Sequence, residues 1–205
     1  MSARQAHWEN IYATKPANSV SWFCPRAQSS LDMIRATSVE RTAPIIDIGG
    51  GASVLVDELL AEGFQDVTVL DIAASALRVI QQRLGARASL IHWIVSDVLA
   101  WRPERSYGVW HDRAVFHFLT DAADREAYRK TVERALVPGG SLILATFAED
   151  GPEKCSGLPV QRWSAEALAA EWAGGFELIQ SARETHVTPW GAEQSFTWCR
   201  FRRAA

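Results

Sequence analysis

Cysteine is scarce in this chain of 205 residues: Cys24, Cys155 and Cys199 are odd in number, widely spaced and without a C-x-x-C pair. That pattern suggests neither a disulfide framework nor a zinc site, and a reduced, cytoplasmic setting is the simplest expectation. Clustered positive charge is missing as well. The formal net charge is -3, and the one basic run, "RFRR" near the end, reads as a terminal strand, so nucleic acid is not expected as a partner. No window approaches the roughly 18 apolar residues that a membrane span requires, and "MSARQAHWENIY" lacks the apolar segment of a signal peptide, so no membrane association is expected. Repeats, low-complexity tracts and linkers are also absent. One domain over residues 1–205 is therefore expected.

What is present is the ordinary composition of a globular protein, 48% hydrophobic and 22% charged, with nine tryptophans as the unusual feature. "HWENIY" and "PRAQSSLDMIRAT" carry helical patterns, the second starting at Pro25 as a first-turn proline. Strands and helices then alternate. "APIIDIG", "DVTVLDI", "SLIHWIVSD", "YGVWHD" and "SLILATF" are short and mostly β-branched or aromatic. Between them, "SVLVDELLAEG", "AASALRVIQQRLG" and "DAADREAYRKTVERAL" place apolar residues at helical spacing. The alternation predicts a parallel sheet covered on both faces. After a helix at "SAEALAAEW", the segments "FELIQSARETHV" and "EQSFTWCRFRR" flank "TPWGA" and predict a hairpin at the sheet edge. "AEDGPEKCSGLPV" is the longest loop.

The stretch "APIIDIGGGASVLVDELLAEGF" hands a strand to a helix through three glycines, Gly49, Gly50 and Gly51. Glycines there let the backbone turn tightly beside a ligand, in front of the free N–H groups of the next helix. A dinucleotide fingerprint would need a third glycine at position 54, where Val54 stands. Three acids also lie at strand ends: Asp47, Asp71 and Asp97. Together they suit a ligand offering an amine, ribose hydroxyls and an adenine amino group, and they would repel a phosphate. Taken singly, each acid fits a strand-end cap equally well.

On these residues the chain resembles the class I S-adenosylmethionine-dependent methyltransferases, over roughly residues 43–150. "DIGGGAS" is similar to that family's D/E-x-G-x-G-x-G motif, with Ser53 at the third glycine. The fold implied is α/β, a Rossmann-like doubly wound sheet, mostly parallel with an antiparallel C-terminal hairpin strand, and the cofactor implied is S-adenosylmethionine. "VLDI" resembles the motif whose acid, here Asp71, accepts the ribose hydroxyls beside Ile72. "SDVLAW" resembles the motif that brings Asp97 and Val98 near the adenine. Residues 1–40 would form a helical cap over the cofactor, with Trp22 above the sulfonium.

In this fold the end of the fourth strand faces the transferred methyl group, which gathers His111, Asp112, Arg113, Phe116 and His117 there. His111 is expected at the cofactor, and Asp112, Arg113 and His117 in the chemistry. "HDRAVF" and the upstream "HWENIYATKPANSVSWF" resemble windows of thiopurine and other thiol S-methyltransferases, so a thiol or sulfide is the first acceptor expected. A thiol already ionises in part at neutral pH, whereas an ammonium must first lose a proton to a base such as His111 or His117. "VSWF" resembles some protein lysine methyltransferases, which keeps a protein substrate open. A non-catalytic cofactor-binding scaffold is the third reading. His117 within "AVFHFL" also fits a core histidine, and Cys155 fits a loop or pocket wall.

Overall fold

The computed structural model describes residues 1–205. Two helices come first, α1 (Ala3–Thr14) and α2 (Gln28–Arg35). The alternating part follows as β1 (Ile45–Ile48), α3 (Leu55–Ala61), β2 (Val67–Asp71), α4 (Ala74–Leu84), β3 (Ile91–Val95), β4 (Tyr107–Arg113), α5 (Ala122–Ala135) and β5 (Leu136–Phe147). A small ribbon, β6 (Lys154–Cys155) and β7 (Leu158–Pro159), precedes α6 (Ala165–Glu171) and the long hairpin of β8 (Phe176–Val187) and β9 (Glu193–Arg203).

The main sheet has seven strands in the order β3-β2-β1-β4-β5-β9-β8. Strands β1 to β5 run parallel, and β9 returns antiparallel against β5 and pairs with β8. The expected doubly wound sheet with a terminal hairpin is the observed fold. Its chain order reverses between β1 and β4, and such a switch point opens a crevice at the carboxyl ends of the strands.

Two hydrophobic cores lie on opposite faces of the sheet. Ile45, Val67, Val69, Val109, Ile143 and Trp198 pack with α2, α3 and α4, whereas Ile46, Leu70, Trp110, Leu142 and Phe201 pack with α5 and α6. Successive strand residues alternate between these cores, as the two-residue period of a strand demands. That alternation decides which side chains of β4 can reach the crevice.

Several boundaries differ from the sequence reading, and β5 begins at Leu136 where the strand was expected from Ser141. α2 starts at Gln28, and Pro25 lies in a bend before it, because the Ala27 N–H is held 2.9 Å from Glu58 Oε2 and sets the entry. β3 is shorter than expected, since residues Gly85–Leu90 wind into a 3-10 turn. The long loop contains the β6–β7 ribbon, whose turn residues Ser156 and Gly157 have φ of 50° and 78°, the signature of a tight hairpin turn. No helix is long and apolar enough to cross a membrane.

Candidate active site

Gly49 leaves β1 with φ of 63° and Gly51 follows with φ of 53°, both in the left-handed region. Space is as restrictive as the dihedrals. A Cβ on Gly49 would stand 2.1 Å from Val115 Cγ2, and one on Gly51 would stand 2.3 Å from the Tyr12 hydroxyl. Only glycine lets both neighbours come so close. Asp71 then clamps the turn from the next strand: its Oδ2 accepts from the Gly51 N–H at 2.9 Å and its Oδ1 from the Ala73 N–H at 2.8 Å. Burial pushes the Asp71 carboxyl up to about 6, against the pull of those two N–H groups.

The crevice at the switch point is a single large pocket, walled by Gly49, Gly50, Ser53, Asp71, Ile72, Asp97 and Val98 on the β1–β3 side. Asp47, His111, Arg113, Trp22 and Cys155 also face it. Gly51 is not in the wall, because Tyr12 covers it. Ser53 is in the wall, but its hydroxyl accepts from the Leu55 N–H at 3.1 Å.

The N-terminal helix is fastened across this edge by polar contacts. Glu9 accepts from the Ala74 and Ser75 N–H groups at 2.6 and 3.2 Å, filling the exposed N-terminus of α4 with a carboxylate from another element. Arg4 lies 3.5 Å from Asp97 Oδ2 and 2.8 Å from Asp124 Oδ2. Trp8, Tyr12, Trp22 and Phe118 form an aromatic group beside the glycines, edge-to-face except for the tilted Trp8–Tyr12 pair.

On the other side of the switch point, Asp47 of β1 and His111 of β4 are register partners. Both are buried, and His111 Nδ1 lies 2.7 Å from Asp47 Oδ1. A carboxylate can only accept, so Nδ1 carries the hydrogen and Nε2 carries the lone pair. Ten buried side-chain polar atoms lack a hydrogen-bond partner, and only two belong to residues of the pocket wall: His111 Nε2 and Arg113 Nη2. The Arg113 guanidinium donates to the Trp22 carbonyl at 3.2 Å and stacks 4.7 Å from the Phe196 ring centroid.

Asp112 and His117, expected in the chemistry, are outside the pocket wall. Between His111 and Arg113 the strand period turns Asp112 to the opposite face. There it accepts from the Val115 and Phe116 N–H groups and from the Tyr128 hydroxyl, bracing the chain as it leaves β4. Burial raises its carboxyl to about 6. His117 Nδ1 accepts from the Phe147 N–H at 3.3 Å, which uses its one lone pair, and burial pushes the ring down to about 3. A neutral histidine with no free lone pair is no base.

The wall also holds residues that the sequence reading passed over: Arg4, Cys24, Leu119, Glu184 and Trp198. Glu184 and Trp198 come from the two strands of the terminal hairpin and are joined by a 2.6 Å hydrogen bond. No local spacing announces them, since they arrive only because β9 docks beside β5.

Residues 45–140 match a family described as "Methyltransferase domain". A curated relative, Nodulation protein S of Rhizobium tropici, is 28% identical over 104 residues, which are 51% of this chain and 43% of that protein. The matched stretch thus spans less than half of that relative. Among solved structures, one from work on the conversion of a disulfide bond into a thioacetal group during echinomycin biosynthesis superposes with a TM-score of 0.77 at 19% identity, covering 98% of this chain and 93% of that one. The N-methyltransferase NodS from Bradyrhizobium japonicum, in complex with S-adenosyl-l-homocysteine, gives 0.75 at 17% identity, covering 97% and 100%. The glycopeptide N-methyltransferase MtfA with sinefungin gives 0.66 at 15%, covering 89% and 95%. At such identities the superpositions speak for the fold. The domain match over residues 45–140 and the superpositions thus place this crevice in a chain with a Rossmann-like methyltransferase fold.

Proposed function

We propose that this protein methylates a small acceptor whose nucleophilic atom must give up a proton, an amine being the class that fits. One observation carries the reading: His111 Nε2 is buried in the pocket wall without a partner, while Asp47 holds the opposite ring nitrogen at 2.7 Å. Asp47 fixes the tautomer and would stabilise the imidazolium formed when Nε2 takes the proton. When bound, S-adenosylmethionine supplies a methyl group on a positively charged sulfur, open to in-line displacement.

The wall suits that cofactor. Each Asp71 oxygen has one lone pair spent on a backbone N–H and one left, so the carboxylate is oriented yet still able to accept ribose hydroxyls. Asp97, Val98 and Ile72 extend the same edge toward an adenine, and Trp22 offers a ring to the cation. Residues 1–40 act as a cap within one domain of 205 residues, a role supported by the contacts of Arg4, Glu9 and Tyr12. The cap excludes water from a displacement that water would compete in.

Two of the similar solved structures bear the name N-methyltransferase, in keeping with an amine. A thiol or sulfide is the second reading. Arg113, with no carboxylate paired to it, would favour a thiolate in the same pocket, and a thiolate needs no base.

The test is a panel of small amines, thiols and a lysine-containing peptide, with release of S-adenosylhomocysteine as the readout. Turnover with amines, rising with pH as the acceptor loses its proton, is the expected result. Turnover confined to thiols would move the acceptor to sulfur. Label appearing only in the peptide would favour a protein substrate, and no turnover in a protein that binds the cofactor would leave a scaffold.

A further inference from the structure

We infer that the acceptor carries a carboxylate and that Arg113 receives it. The inference rests on the methyltransferase reading and specifies the substrate class of the same pocket. Arg113 stands two residues beyond His111 on β4, so both side chains lie on one face of the strand, about 7 Å apart at the backbone. Its Nη1 donates to the Trp22 carbonyl, its plane rests on Phe196, and its Nη2 is buried with nothing to donate to. No acid pairs with it. Glu184 shares the pocket wall, but its Oε2 accepts from Trp198 Nε1 and it forms no ion pair with the guanidinium.

The thiols and histidines around Arg113 do not compensate its charge, and Glu184 reaches it only through space. Burial holds the Cys24 thiol above its ordinary value and pushes Cys155 up to about 11, although Arg113 pulls both down. His117 and His186 are pushed toward the neutral form, by burial first and Arg113 second. A guanidinium stays charged in any protein, so a cation sits here with Glu184 in the same wall but no carboxylate bonded to it, at a cost that an incoming anion would offset.

The anion's character follows from the surroundings. One free nitrogen on a planar fork, beside aromatic rings, suits a flat monoanion. A phosphate dianion would need more donors and would meet Asp47, Asp71 and Glu184 in the same wall. An amine and a carboxylate on one small molecule would engage His111 and Arg113 together.

Benzoate and its uncharged isostere benzamide probe this directly, titrated against the S-adenosylhomocysteine-saturated protein and followed by tryptophan fluorescence, since Trp22 and Trp198 line the pocket. Benzoate should bind about tenfold tighter than benzamide, the weight of one charge-assisted hydrogen bond. Arg113→Gln should reduce that preference to within about twofold, and Arg113→Lys should keep part of it. Calorimetric binding of S-adenosylhomocysteine by each variant checks that the pocket is intact. Equal binding of the two probes, no binding of benzoate, or a preference surviving in Arg113→Gln would overturn the inference. Loss of S-adenosylhomocysteine binding by the unaltered protein would instead strike at the cofactor and the methyltransferase reading itself.

Discussion

Replacing His111 with glutamine is expected to lower kcat about 10²- to 10⁴-fold toward an amine acceptor while S-adenosylhomocysteine affinity stays within a few-fold of the starting value. The split follows from the geometry. His111 Nε2 is the one buried acceptor atom of the pocket wall with no hydrogen-bond partner at all, and its loss removes the proton acceptor without disturbing the Asp71 edge. Asp47→Asn should give a loss of similar order, because an amide can present its N–H to the ring, favour the wrong tautomer and stabilise an imidazolium poorly. Added imidazole should restore part of the activity of the His111 variant. Steady-state kinetics with a fixed amine decides the matter: an unchanged kcat would reduce His111 to a wall residue, and unchanged turnover of thiols alone would agree with the sulfur reading.

Asp71→Ala should weaken S-adenosylhomocysteine binding at least about tenfold, since hydrogen bonds to a charged group contribute roughly 1.5–3 kcal/mol each. Stability should fall less, although the Gly51 and Ala73 N–H groups lose their acceptor. A pH dependence follows from the same residue. Burial raises the carboxyl to about 6, so below that pH it is protonated and poorer at accepting from ribose hydroxyls; affinity should decline between pH 7 and pH 5. Stability runs the other way. A carboxyl that binds its proton more tightly in the folded than in the unfolded state adds stability as pH falls through about 6 toward 4, and loses that contribution as pH rises. Asp71 and Asp112 share this sign. Calorimetry across pH, with the thermal midpoint measured alongside, separates the two trends, and an affinity flat from pH 7 to pH 5 would show that Asp71 serves only to brace the turn.

Much of this arrangement was readable before any coordinates. The alternation of β-branched runs with amphipathic helices predicts β1 to β5 in order, and glycines with acids at strand ends predict where a ligand lies. Periodicity could also have placed Asp112: one residue on from His111, it must face α5, yet its place in "HDR" drew attention to composition over direction. His117 was harder, because its partner, the Phe147 N–H, is 30 residues away and depends on how β5 enters the sheet. The Asp47–His111 pair is a register effect between strands 64 positions apart, and Glu184 and Trp198 reach the wall through the terminal hairpin. Local chemistry marks the proposed cofactor edge. Sheet topology builds the proposed acceptor wall.

The most direct test of the account is titration calorimetry of the purified protein with S-adenosylhomocysteine and, separately, with NAD. One S-adenosylhomocysteine per chain and no heat from NAD is the predicted result, because Asp47, Asp71 and Asp97 line or border a crevice with acids where a dinucleotide would need its phosphates held. Binding of NAD alone, or of neither ligand, would contradict it.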